Sequence, residues 1–234
     1  RAREVVAALE VAGNELLAAR GEAAGSIDMV AITTAEYFVP RLLAAFGQRY
    51  PDIRIRLSVA NRADVYAMLD ERRATLAIMG TPPGRLPLRR IPFAPHLLSF
   101  VASPDHPLAG KANIPPAALA EERLLLRERG SGTRDHLERY LKSHGVRPLR
   151  ADELGSNSTL KQAAMAGLGI AFLSHHTFGM ELAAHRLVRL DVQGTPVRRE
   201  WNVVVRNDQP LSPAVSALVD FLQDEGKRLM ADGE

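Results

Sequence analysis

Apolar residues at Ala2, Val5, Leu9, Ala12, Leu16 and Ala19 recur in steps of three and four, with Arg1, Arg3, Glu4, Glu10, Asn14, Glu15 and Arg20 between them. This is a heptad stripe along one helix face. Two readings stay open: an amphipathic helix packed on its own domain, or one strand of a dimeric coiled-coil linker entered from an upstream part. Gly21 and Gly25 then stop the helix.

Beyond Gly25 the period switches repeatedly between two and 3.6. Ser26–Ile32 reads as a buried strand. Thr33–Tyr50 reads as a turn and helix with Phe38, Leu42, Leu43 and Phe46 inward, and Pro40 near its start or at a kink. Ile53, Ile55, Leu57 and Val59 alternate with polar residues, as in a strand with one exposed face. Val65, Met68 and Leu69 mark a helix, and Leu76–Met79 a short buried strand. This β-α-β-α-β order implies a parallel sheet covered by helices.

The segment Gly80–Pro87, with three prolines, interrupts the pattern. A second series follows: a strand at Leu97–Ala102, a helix near Pro115–Ala120, a strand at Arg123–Arg127 and a helix from about Ser131 to His144. It continues with a strand near Ala151–Leu154, a helix at Ser158–Ala166 and a strand at Gly169–Leu173. Trp201–Arg206 is an apolar strand, and Ser212-Pro213 opens a last helix as N-cap and first helical residue. Two series predict two lobes around a cleft, with the chain crossing near Leu97–Ala102 and near Trp201–Arg206. The expected divisions are 1–22 for the linker helix, 23–98 with 206–234 for the first lobe, and 99–205 for the second.

Composition narrows the function. The chain has 234 residues, 46% of them hydrophobic, no cysteine and a net charge of +3. No cysteine means no disulfide framework, thiolate zinc site or cysteine nucleophile. The small charge excess is scattered, so the chain itself is not expected to bind nucleic acid. With neither a secretory signal nor an apolar run of membrane-spanning length, a cytoplasmic location and no membrane partner are expected. GxSxG and HExxH are both absent, His175 and His176 are too close in sequence for a good metal pair, and no catalytic carboxylate pair stands out. The chain is therefore expected not to be an enzyme, to need no cofactor and to hold no metal.

Three places put hydroxyl or small residues after a strand at a helix start, where unpaired backbone N–H groups and the helix dipole favour anions. The first is Thr33-Thr34-Ala35. The second runs from Arg127 to Arg134, where Gly130 and Gly132 allow close approach, Ser131 and Thr133 offer hydroxyls, and Arg127 and Arg134 offer charge. The third is Gly155–Lys161, where Ser156 or Asn157 caps a helix and Lys161 lies on its first turn. Each can also be read as plain helix capping, least so the second, which is the most phosphate-like stretch of the chain. His96 and His175 lie next to strand ends and are expected to reach the same cleft.

Longer segments carry a resemblance. Phe38-Val39-Pro40-Arg41-Leu42-Leu43, Tyr50-Pro51, Asp105-His106-Pro107-Leu108 and Gly167-Leu168-Gly169-Ile170-Ala171 resemble the effector-binding domain of LysR-type transcriptional regulators. Thr33–Phe38, Ala77–Pro83 and Arg127–Arg134 look like the regulators of carbon-fixation (RuBisCO) operons. The resemblance implies an α/β, two-lobed type II periplasmic-binding-protein-like fold: two Rossmann-like subdomains joined by two crossover strands, preceded by part of a linker helix. It implies a homodimer, assembling to a tetramer at full length, and DNA contact only through a helix-turn-helix upstream of this chain. The implied effector is a phosphorylated metabolite or NADPH. Its implied contacts are Thr33, Thr34 and the Gly130–Thr133 turn, then Asn157 and the Met79–Pro82 segment with Met79, Gly80 and Pro82. The alternative is an exported solute-binding protein of a transporter with the same fold.

Overall fold

A computed structural model of the chain describes residues 24–82, 84 and 86–231. The heptad stripe lies outside the described residues. The rest divides into two compact units. Unit 1 holds the described residues up to Ala60, Asp64–Ala94 and those from Trp201 onward, and unit 2 holds Asn61–Ala63 and Pro95–Glu200. The passages fall at Pro95 and Trp201, a few residues before the positions expected from the sequence.

Unit 1 is built on β1 (Gly25–Ile32), with β2 (Ile53–Ala60) and β3 (Leu76–Met79) parallel on either side. The second half of β9 (Val197–Arg206) runs antiparallel to β3. A central parallel strand is covered on both faces and needs apolar residues throughout; Ile27, Met29, Val30 and Ala31 are all buried. On one face α1 (Val39–Arg49) and α6 (Pro213–Ala231) pack through Leu42, Phe46, Leu218 and Leu222. Trp201 is fully buried there, edge-on to Phe38 with ring centroids 4.8 Å apart. On the other face α2 (Arg62–Asp70) packs Val65 and Leu69 against Val30, Ala77 and Met79.

Unit 2 repeats the plan. β5 (Arg123–Leu126) lies between β6 (Arg150–Glu153) and β7 (Ile170–Ser174), all parallel. β4 (Leu88–Ala102) runs antiparallel to β7 and also pairs with the two-residue β8 (Val188–Arg189). α3 (Gly132–Ser143) buries Leu137, Tyr140 and Leu141 against Phe100 and Phe172. α4 (Asn157–Met165) and α5 (His175–Ala183) cover the opposite face through Leu160, Ala164 and Phe178.

Local chemistry explains the boundaries. α1 begins at Val39 with Pro40 in its first turn, where the missing N–H is harmless. Ser212 caps α6, its Oγ accepting from the Val215 N–H at 3.3 Å. Gly167, at φ +78, ends α4 in the left-handed region. Gly169 has a different reason: a Cβ there would collide with the Arg123 carbonyl oxygen, so β7 can start beside β5 only without a side chain. Three expectations are corrected. The helix expected within Thr33–Tyr50 is split into a 3-10 turn at Ala35–Tyr37 and α1; β4 starts at Leu88, well before Leu97; and α5 and β8 were not expected.

Candidate functional site

In unit 2 the ends of the parallel strands come level. Leu126 of β5 stands opposite Glu153 of β6, and Leu125 opposite Ala171 of β7. Leu98 of antiparallel β4 stands opposite Ser174, so His96 lies at the same end. Arg127, Ser131, Asn157 and His175 therefore belong to one edge of one sheet, the edge where ligands collect in open α/β sheets.

Arg127 is the centre of this edge, its side chain only 2% exposed. Nε and Nη2 donate to the two carboxylate oxygens of Glu128 at 2.7 and 2.8 Å, and Nη1 donates to Asn157 Oδ1 at 2.5 Å. Neighbours on an extended strand point to opposite faces. This pair meets because the chain turns at once: the Ser131 N–H donates to the Glu128 carbonyl at 3.2 Å, with Gly130 at φ +89. That angle suits glycine.

The turn delivers Ser131 to the N-cap of α3, yet the Ser131 side chain makes no capping bond. Ser131 and Thr133 are both buried. At α4 the capping is done by Ser156, whose Oγ accepts from the Thr159 N–H at 3.0 Å. Asn157, the first residue of α4, is thus not needed as a cap. Its Oδ1 holds Arg127, and its Nδ2 is buried with no hydrogen-bond partner. A buried donor left unmatched costs about 1–3 kcal/mol, so its persistence asks for a reason.

Two cations expected at the site are otherwise engaged. Arg134 donates to the Arg127 carbonyl at 3.0 Å and to Glu138 Oε1 at 2.7 Å, and it also pairs with Glu153. Lys161 Nζ lies 2.6 Å from Glu181 Oε1 and ties α4 to α5. Both charges are paired with carboxylates of the fold in this structure.

Histidines complete the edge. His96 is buried, and burial first, then His176, His136, Arg199 and His175 nearby, holds its pKa well below the usual value. His136 is lowered to about 4, mainly by burial, with Arg199 and Arg139 adding. Both are neutral near pH 7 and act as hydrogen-bonding groups rather than cations. His175, at the start of α5, shares a hydrogen bond of 2.8 Å between its Nε2 and Ser99 Oγ. The Ser174-His175 transition is a strand-to-helix start like the others; the serine after an apolar run was the signal for it. Among the described residues no group of three or more His, Asp or Glu is placed to hold a metal.

Unit 1 has its own version of this edge. Ile32 of β1 stands opposite Ala60 of β2, and Met79 of β3 opposite Asn202 of β9. The Thr33 N–H donates to the Ala60 carbonyl at 3.0 Å. Thr34 is buried and makes no side-chain capping bond to the turn that follows. That turn has three residues, and α1 begins only after Phe38. The expected helix start at Thr33-Thr34-Ala35 is thus absent, and what Thr34 offers is its hydroxyl. Met79 is wholly buried in a hydrophobic cluster, which removes its side chain from ligand contact. Gly80 accepts from Asn202 Nδ2 through its carbonyl at 3.4 Å, and Pro82 is half-buried.

Residues 20–227 match the model of the LysR substrate binding domain. The transcriptional regulator CbbR of Rhodospirillum rubrum is 42% identical over 94% of this chain and 73% of its own length. The RuBisCO operon transcriptional regulator of Allochromatium vinosum is 41% identical over 90% of this chain and 70% of its own. Among solved structures, the regulatory domain of CcmR from Synechocystis PCC6803, in complex with 2-PG, is 39% identical with a TM-score of 0.81. It covers 85% of this chain and 96% of that one. An OxyR mutant from Corynebacterium glutamicum, at 22% identity and TM-score 0.82, shares the fold.

Proposed function

Because the chain belongs to the LysR-type regulators as their effector-binding domain, we propose that it senses a small phosphorylated acid whose anionic end is held at the strand-end edge of unit 2. The carrying observation is Asn157: a buried amide whose oxygen is fixed by Arg127 and whose Nδ2 has no partner. A phosphate or carboxylate oxygen accepts from that donor, from the Ser131 and Thr133 hydroxyls and from the backbone N–H groups opening α3. The 2-PG bound by CcmR has the chemistry this edge favours.

In this reading the ligand is not turned over. It binds one arrangement of the domain more tightly and shifts the population towards it. The regulator works in the cytoplasm as a homodimer, forming tetramers at full length. DNA is contacted through a helix-turn-helix outside these residues, in keeping with the HTH-type names of the relatives. Its target genes are those of carbon fixation, in line with the RuBisCO operon regulator among those relatives.

Asn157→Asp tests the site. The carboxylate keeps an acceptor for Arg127 but replaces the donor with a second, negatively charged acceptor. Calorimetric titration with 2-phosphoglycolate is expected to show affinity at least about tenfold weaker, with thermal stability retained. Affinity equal to that of the unsubstituted chain would overturn the assignment.

A further inference from the structure

We infer that Glu128 is a built-in counterion that an anionic ligand must displace from Arg127, so that ligand charge is read as an exchange of anions on one guanidinium. The inference rests on the proposed anion site and adds the regulation of that site. Three observations carry it. First, the pairing is bidentate, with Nε and Nη2 of Arg127 on Oε2 and Oε1 of Glu128 at 2.7 and 2.8 Å. That is the geometry in which a guanidinium receives a carboxylate or phosphate. Second, burial is unequal: the Arg127 side chain is 2% exposed and that of Glu128 is 23% exposed. The cation is fixed inside, while its partner reaches water and can move into it. Third, the Asn157 amide beside this pair has a buried donor unmet, and the Glu128 carboxylate on Arg127 does not satisfy it.

A buried guanidinium without a counterion is strongly unfavourable. Glu128 supplies one while no ligand is bound. An incoming phosphate brings more negative charge than Glu128 and adds an acceptor for Asn157 Nδ2. Two anions on the same two N–H groups repel, so one must leave, and the partly exposed side chain is the one able to do so. Glu128 also opens the turn closed by the Ser131 N–H, which leads into α3. Releasing its carboxylate therefore loosens a restraint on the turn that starts a helix. A neutral ligand of similar shape would leave Glu128 in place, which makes the pair a filter for charge.

The test is Glu128→Gln, titrated with 2-phosphoglycolate and with inorganic phosphate beside Asn157→Asp. The amide of the substituted side chain still accepts one hydrogen bond from Arg127 but competes without charge. Binding is expected to tighten about tenfold, and ligand is expected to raise the melting temperature more than in the unsubstituted chain. Equal or weaker binding by a folded Glu128→Gln, with Asn157→Asp still weakened, overturns the exchange and leaves the site. No response of either variant overturns the site itself. If Glu128→Gln fails to fold, Glu128→Asp replaces it. Its shorter carboxylate grips the fork less well, and tighter binding is again expected, with unchanged affinity overturning the exchange.

Discussion

The two units present the same edge of the same kind of sheet, built from opposite materials. In unit 1 the strand ends carry Thr33, Thr34, Gly80 and Asn202, all uncharged, and the one helix expected to start there begins four residues later. In unit 2 the corresponding edge holds buried Arg127, its partner Glu128, the unmet amide of Asn157 and two histidines kept neutral by burial. All seven histidines of the chain fall between residues 96 and 185. The difference teaches that a shared topology supplies only a place for a ligand. The charged and titratable groups gather at the edge of unit 2, while the edge of unit 1 offers only hydroxyls, amides and backbone.

The largest separation is expected from Arg127→Gln against Asn202→Ala. The first strands a partly buried carboxylate and removes a buried bidentate pair, costing about 2–3 kcal/mol. The second removes an uncharged amide whose bond to the Gly80 carbonyl is a long 3.4 Å and is expected to cost less, about 1–2 kcal/mol. Urea unfolding measures both, and equal costs would erase the contrast. A smaller effect is expected in affinity. Ser131→Ala should weaken 2-phosphoglycolate binding about fivefold, while Thr34→Ala leaves it within about twofold; calorimetry giving the reverse order would move the anion to unit 1. Smallest is the response to acid. The lowered pKa of His136 means that the unfolded chain takes up its proton first as pH falls. Its contribution is intact above about 6.5, the ordinary histidine value, and is lost as pH falls towards about 4. His136→Gln is expected to flatten part of that decline in thermal melts from pH 7 to 4.5, and an unchanged slope would show that His136 does not contribute.

The sequence displayed the fold wherever pattern and packing agree. Leu76–Met79 is apolar at every position because both faces of β3 are covered, and its limits were readable to the residue. Gly167 and Gly169 mark a helix end and a close approach that no other residue would allow. The site was less legible, for a physical reason: charge partners are set by three-dimensional reach. Arg134 and Lys161 looked available to a ligand because Glu153 and Glu181 are distant in sequence. Glu128 was hidden by the opposite cause. A neighbour of Arg127 on an extended strand should face away, and only the turn through Gly130 brings it back. α5 went unseen because His175 and His176 were weighed as metal ligands rather than as the first turn of a helix.

β4 and β9 each belong to both units, and they shape how the chain reaches its fold. Among the described residues, unit 2 is one stretch, Pro95–Glu200, apart from Asn61–Ala63. Unit 1 is finished only when Trp201 and α6 arrive beside Phe38 and Phe46, from the far side of that stretch. Closing so long a loop is entropically unfavourable and slow. A compact unit 2 shortens it, bringing the ends of its own segment together before the first unit needs them. Unit 2 thus serves as the clasp that lets the first unit's chain segments come together.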